Sequence, residues 1–467
     1  MKMRNISIIL LIITLSAAAY GSSLEIETNY RNRMLSYANP DFNNGISTDA
    51  VTYFSQKLQL SLKGKFDTGT QKLGEQIEIN TKIQAIGIAG GVAGSSSTPA
   101  STTVPIFSTW QDDLPYPSLN YMPFIEHSFV RISNTTRVPL QITIGKQPVQ
   151  YGSGLIIGDN GVGYDAIRCA FQYPKRFNFD FLLTSVMKQG FHETGNASVS
   201  GLMVKTPWKD SIVHMGYFME KDLSGTTYTQ GINSIGTKSI NKNYLNFIVG
   251  KKDEAKYWDF EAVFQNGNIT QSNDTIIGLR AYALNFTGEV MNKSATGSWV
   301  SYRLGVHVAS GEDNGFSSLN DDYTSYSPTY NKKYDGMELS GYGNIMGLSS
   351  TLNQFIQNQE NFSGFGVIAF GATSSPMYGF EYGFDGFMHS AAGSAFAGAP
   401  EADNFTKNLL QSKYNLGLEL NLFLKYTPSK YLTFRVAYSR YTPPTYTQIW
   451  PTNDTCDMYL FETICRF

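Results

Sequence analysis

Residues 414–426 read YNLGLELNLFLKY, with Leu416, Leu418, Leu420, Leu422 and Leu424 at every second position and Asn415, Gly417, Glu419, Asn421 and Lys425 between them. Side chains alternate sides along an extended strand, so the leucines form one stripe there; a helix would spread them around its circumference. A strand apolar on one face and polar on the other separates two media. The pattern recurs in Val300, Tyr302, Leu304, Val306 and Val308 against Ser301, Arg303, Gly305, His307 and Ala309. It recurs in Trp258, Phe260, Ala262 and Phe264 against Asp259, Glu261, Val263 and Gln265. Phe177, Phe179, Phe181 and Leu183 likewise oppose Asn178 and Asp180, and Leu432, Phe434, Val436 and Tyr438 oppose Thr433, Arg435, Ala437 and Ser439. Each segment is weak by itself; their repetition predicts an all-β chain.

A soluble sandwich or solenoid also presents one wet face. Three features point instead to a membrane: segments close to the roughly 9–11 residues of a tilted crossing, aromatic side chains near their ends, and a terminal Phe467. Lipid offers no partner to backbone polar groups, so a sheet there must close on itself. The last strand is expected over 458–467, with Tyr459, Phe461, Thr463, Cys465 and Phe467 on one face. A chain of 467 residues ordinarily reads as several domains, yet only 16% of it is charged and 14% is aromatic. A lipid-facing half of every strand accounts for both figures. The expectation is one large antiparallel transmembrane β-barrel over 22–467, of 18 strands, with 16 also compatible.

Lys2 and Arg4 precede an apolar run from Ile6 to Leu15 and the small residues Ser16, Ala17, Ala18 and Ala19. This reads as a signal peptide over 1–21, cleaved after 19 or 21, because the run is short against the roughly 20 residues of a spanning helix. A barrel behind such a leader belongs in the bacterial cell outer membrane. Loop insertions are expected near 87–103, 310–334 and 390–402, each able to fold into the lumen, cover the mouth or lie outside. Cys456 and Cys465 are near in sequence, and a disulfide between them or three reduced thiols, Cys169 included, are equally compatible with it. With 36 basic and 38 acidic residues and three cysteines, neither a nucleic-acid binder nor a disulfide-dense module is indicated.

With the apolar stripes toward lipid, Asp259, Glu261, Arg303, His307, Glu419, Lys425 and Arg435 face the lumen. An Arg or Lys on the lipid side near the midplane would cost about 2–4 kcal/mol. Opposed charges in a wet lumen select solutes by charge and width, and they also pair across neighbouring strands. The five histidines, at 127, 192, 214, 307 and 389, stand in scattered contexts, and no nucleophile or paired carboxylate is fixed beside His307. No catalytic residue, metal site or cofactor is therefore expected. The partners implied are outer-membrane lipid and a hydrophilic solute.

Residues 144–159 read IGKQPVQYGSGLIIGD, followed by Tyr164, Asp165, Ala166, Ile167 and Arg168. Gly145, Lys146, Gln147, Tyr151 and Gly152 resemble the Gly-Arg-Gln and Tyr-Gly pattern of the alginate-export family of outer-membrane β-barrel porins, and the later run resembles its Phe-Asp-Ala-Val-Arg segment. Lys146 stands where the family has Arg, keeping the charge without the rigid hydrogen-bonding fork. The segments AVFQNGNI, HVASGEDN and NLGLELNLFLKYTPSKYLTFRVAYSRYTP are similar to further strands, so the resemblance runs from about residue 120 to the C-terminus. It implies a monomeric 18-stranded barrel with periplasmic turns and outer loops, polysaccharide export, and periplasmic export partners. The near balance of acids and bases does not single out alginate. Two functions follow: a channel for diffusion or export of hydrophilic solutes, carbohydrate or extended polysaccharide among them, or a plugged barrel serving as a structural or adhesive surface protein.

Overall fold

The structure is a computed structural model. It describes residues 23–38, 50–67, 76–89, 122–134, 139–158, 163–173, 177–186, 197–208, 210–223, 227–230, 233–253, 255–294, 297–311, 326, 339–340, 343–348, 365–391, 415–443 and 454–467. The signal-peptide expectation and most of the three expected loop insertions lie outside them.

The alternating segments form strands β1 Ser23–Ala38, β2 Ala50–Asp67, β3 Gln76–Ala89, β4 Met122–Ser133, β5 Leu140–Gln147, β6 Tyr164–Gln172 and β7 Asn178–Val186. These are followed by β8 Ala197–Trp208, β9 Ser211–Asp222, β10 Thr227–Gln230, β11 Asn233–Lys252, β12 Lys256–Gln271, β13 Ile276–Lys293 and β14 Trp299–Ala309. The remainder are β15 Leu339–Ser340, β16 Gly343–Leu348, β17 Phe365–Ser374, β18 Phe380–Ala391, β19 Asn415–Ser429, β20 Leu432–Thr442 and β21 Cys456–Arg466. Short β10 pairs with the start of β11, and β15 with β16; the other 18 strands form one antiparallel barrel. It closes where β1 pairs β21, from Asn29 opposite Arg466 to Ala38 opposite Asp457. Phe467 extends the seam, exchanging backbone hydrogen bonds of 2.9 Å with Thr28 in both directions. The 16-strand alternative is excluded, and closure leaves no edge for lipid to strand.

The outer surface carries the predicted stripes, with Leu418, Leu420, Leu422, Leu424, Val436, Phe461, Leu304, Phe264 and Phe181 all exposed. Phe380, Tyr426 and Phe434 stack across three strands at centroid distances of 4.3 and 6.5 Å, forming part of an aromatic rim beside the 430–431 turn. On the side of the chain termini the connections are short, from two residues at 209–210 and 430–431 to eight at 68–75. Those at the other end are longer, apart from 272–275, and reach 55 residues at 310–364. This asymmetry, with short turns inside and long loops outside, is the outer-membrane arrangement. An all-β closed antiparallel barrel of this kind is the architecture of bacterial outer-membrane proteins.

Two expectations change, and one open alternative is decided. Leu416 does not join the lipid stripe; the register between β18 and β19 shifts beside it, where Gly417 has φ 132°, and Leu416 turns into the buried interior. The last strand is Cys456–Arg466 rather than 458–467. All three cysteines are free, since Cys456 and Cys465 sit near opposite ends of β21, roughly 30 Å apart at about 3.3 Å per residue. A disulfide needs Cα atoms within about 7 Å.

Candidate site in the barrel lumen

Segment 148–158, between β5 and β6, turns into the barrel rather than outward. Its Val149, Tyr151, Leu155, Ile156 and Ile157 pack with inward-facing Met203, Phe218, Tyr244 and Val263 of the wall in one buried apolar cluster. A polar end holds each side of this segment. Gln147 donates from Nε2 to the carbonyls of Ala166 at 2.9 Å and Thr143 at 3.3 Å. Tyr151 donates to Asp180 at 3.3 Å, and Arg168 grips the same carboxylate from Nε at 2.8 Å while its guanidinium lies 5.7 Å from the Tyr151 ring. Next to it, the Ser153 backbone N–H and hydroxyl donate to Glu261, the former at 2.7 Å, and Asn246 donates to the other carboxylate oxygen at 2.6 Å. Glu261 is fully buried.

A second segment enters from the connection between β14 and β17. Tyr326 is fully buried and donates from its phenol to the Leu155 carbonyl at 2.5 Å, tying the two segments together. Burial, with the Glu220 and Glu261 carboxylates nearby, pushes its phenol well above the ordinary range, so it remains a donor. Further along, the backbone N–H groups of Asn344 and Ile345 donate to Glu419 on β19, the second at 3.1 Å, and the Asn344 side chain donates to Ser439 at 2.8 Å.

The two anchors share a design. Gly152 has φ 57° and Gly343 has φ 123°, and in each case the next residue's N–H meets a wall carboxylate. A Cβ on Gly152 would lie 2.5 Å from the Glu261 oxygens, and one on Gly343 would lie 2.5 Å from Glu419. Only glycine lets the backbone come this close in this conformation.

Near the short-turn end the lumen keeps a cavity of about 440 Å³. Its charged lining brings Arg303, Lys425, Arg435 and Arg466 together with Glu381, Asp385 and Glu462. Sheet register explains this clustering: Glu381, Lys425, Arg435, Glu462 and Arg33 stand opposite one another across β18, β19, β20, β21 and β1. Lys425 meets Glu381 at 3.2 Å, Arg303 meets Asp385 at 2.8 Å and Thr373 at 3.1 Å, and Arg33 pairs with Glu462. The Arg435 guanidinium lies 5.5 Å from the Phe423 ring centre. A transverse field with both signs results, four cations facing three carboxylates.

Of the lumen residues expected from sequence, Arg303, Lys425 and Arg435 gather in this cavity, whereas Glu261 and Glu419 hold the inserted segments. His307 faces Asn285 across the sheet and contacts it, and Asp259 is the next inward position beside Glu261 on β12. Among the motif residues, Gln147, Tyr151, Gly152 and Arg168 support the inserted segment, while Gly145, at φ 118°, lies close against Ser128 and Phe129 of β4. Lys146 and Asp165 stand opposite each other in one register row with Ser128, on the outward side, where Ser128 and Asp165 are exposed. Arg33, Glu381, Asp385, Glu462 and Arg466 were missed. Period-two alternation of Glu381 and Asp385 with Phe380, Tyr382 and Phe384 was the available signal. Among the described residues no three His, Cys, Asp or Glu side chains are grouped to hold a metal ion.

No family model matches the sequence, and no curated protein does. Solved structures share the fold. The outer membrane protein opdK from Pseudomonas aeruginosa superposes with a TM-score of 0.54 at 10% identity over 95% of this chain and 98% of its own. A BenF-like porin from Pseudomonas fluorescens Pf-5 gives 0.53 at 10% identity over 95% and 98%. OccAB3 from Acinetobacter baumannii gives 0.51 at 11% identity over 95% and 99%. The likeness is to porin barrels of the Occ and OprD type; it does not single out the alginate-export family.

Proposed function

We propose that the protein is an outer-membrane channel for small hydrophilic solutes. The carrying observation is the lumen cavity in which Arg303, Lys425, Arg435 and Arg466 face Glu381, Asp385 and Glu462. A cavity of about 440 Å³ falls in the size range of small-molecule sites. Two inserted segments narrow the lumen above it, which favours compact solutes over an extended polysaccharide such as alginate. Reconstitution into planar bilayers is expected to give discrete conductance steps; a correctly folded barrel that passes no current would refute the channel. Blocking by neutral, cationic and anionic saccharides then separates the cargo classes, and a uronate oligomer that blocks best would restore the polysaccharide reading.

A second reading has its own observation. The apolar cluster joining segment 148–158 and Tyr326 to the wall resembles a protein core, which suits a plugged barrel displaying its outer loops as a structural or adhesive surface protein. It predicts no conductance from the folded protein, so the same bilayer experiment decides between the two.

A further inference from the structure

The seam where the barrel closes carries polar side chains on the side that meets lipid. Asn32 of β1 stands opposite Gln56 of β2, and Thr463 of β21 lies opposite Asn32 in the same row. Four residues toward the long-loop end, Ser36 stands opposite Thr52, with the two hydroxyl oxygens 2.8 Å apart. The row between them holds Met34, Phe54 and Phe461, of which both phenylalanines are exposed, so this side faces outward. Arg33 and Glu462, paired with each other, take the alternate positions that face the lumen.

The two carboxamides lie too deep for the headgroup layer. Asn32 has nine residues of β1 on the short-turn side, 23–31, and six on the other, 33–38; Gln56 has eleven of β2, 57–67, and six, 50–55. At about 3.3 Å per residue and a tilt near 40°, each residue adds roughly 2.5 Å of height, so β1 rises about 38 Å. Asn32 is then about 23 Å from one end and about 15 Å from the other, inside an apolar band about 25 Å tall. Its side-chain oxygen is shut away without a hydrogen-bond partner, although Gln56 faces it. Hydrocarbon supplies neither donor nor acceptor, so a carboxamide at this depth is costly until another protein group pairs with it.

We propose that the outward face of β21, β1 and β2 is where a second copy of this chain docks within the membrane. A carboxamide is both donor and acceptor, so an identical surface complements it. Copies inserted in one orientation are related by an axis along the membrane normal, which brings Asn32 of one copy to Asn32 or Gln56 of the next at nearly equal depth. Charge also selects the occupant. The outward positions of β1 from Leu24 to Ser36 and of β2 from Thr52 to Phe66 carry no charged side chain, so an anionic headgroup or a charged partner finds no counter-charge there. The seam thereby departs from the monomer implied by the resemblance to alginate-export barrels.

The test brings the full barrel to sedimentation equilibrium in a density-matched detergent, which reads its mass without a label. The parent is expected to self-associate, and Asn32→Leu with Gln56→Leu to weaken that association about tenfold or more. Because these changes take polar groups off a lipid-facing wall, the double variant should still fold. Asn32→Gln with Gln56→Asn keeps both carboxamides and should retain association, as should Leu420→Ala with Leu422→Ala on the face of β19. A parent that stays monomeric overturns the proposal, as does a double variant that associates as tightly as the parent. Loss of a bound lipid or of a different protein from the double variant, in place of a second copy, overturns it equally. Should that variant not fold, as judged by circular dichroism, bis-maleimide crosslinking in vesicles decides, with Cys169→Ser and Cys465→Ser as background. Met34→Cys is then expected to give crosslinked pairs and Leu422→Cys none; the reverse pattern refutes the interface. The readout is association, so it stands whether or not the barrel conducts.

Discussion

Glu261 and Glu419 each terminate the lumen wall with a buried carboxylate that accepts from the backbone of an inserted segment. Removing Glu261 leaves the buried Asn246 amide without its acceptor while the exposed Ser153 donors turn to water, and removing Glu419 leaves the N–H groups of buried Asn344 and Ile345 without theirs, each at a cost of about 1–3 kcal/mol. Glu261→Ala is therefore expected to lower the thermal unfolding midpoint of the barrel and raise its single-channel conductance as segment 148–158 loosens. Glu261→Gln retains an acceptor oxygen and should fall between the two. Gly152→Ala approaches the same contact from the other partner, so it should shift both readouts in the direction of Glu261→Ala. In the cavity, charge rather than fit is at stake. An ion passing about 8 Å from a removed guanidinium loses about 2 kcal/mol of interaction at an effective permittivity near 20, and less after screening by salt. Arg303→Ala and Arg435→Ala should accordingly move selectivity toward cations, read from the reversal potential across a salt gradient. Unchanged reversal potentials would place the ion path elsewhere in the lumen.

At the scale of the element, β21 shows what a strand forbids. With Cys456 and Cys465 near its two ends, maleimide labelling of the unfolded protein without reductant is expected to find three reactive thiols, and prior reduction should add none. The strands themselves were legible because alternation is local: Leu418 to Leu424 needs only its neighbours to be read as a lipid face. Arg303, Lys425 and Arg435 could be assigned inward by the same parity. The inserted segments could not be found this way. Ser153 and Glu261 are 108 residues apart, and Leu155 and Tyr326 are 171 apart, so nothing near either partner signals the contact. Residues 144–168 could be matched to a family pattern, but the pattern does not say that the chain between β5 and β6 turns inward. Leu416 failed for a related reason, since a one-residue change of register in β19 depends on its partner β18.

For the whole molecule, the scarcity of charge and abundance of aromatics follow from a sheet that meets lipid on one side all the way round. The energy of that arrangement should then depend on depth rather than on local packing alone. Leu422 is 57% exposed on the outward face of β19, two residues beyond Leu424 from the aromatic rim that Tyr426 shares with Phe380 and Phe434. Tyr431, in the short turn between β19 and β20, is 52% exposed, so the two sites differ in depth far more than in exposure. In a soluble barrel an arginine at either site would be solvated and nearly neutral. In a bilayer Leu422→Arg should cost about 2–4 kcal/mol and Tyr431→Arg only about 0–1, because the turn lies at the interface where the guanidinium reaches water. Reversible denaturant unfolding in lipid vesicles measures both. Equal small costs would remove the membrane from the argument, whereas the graded result would assign the leucine stripe to the hydrocarbon and fix the position of the barrel within it.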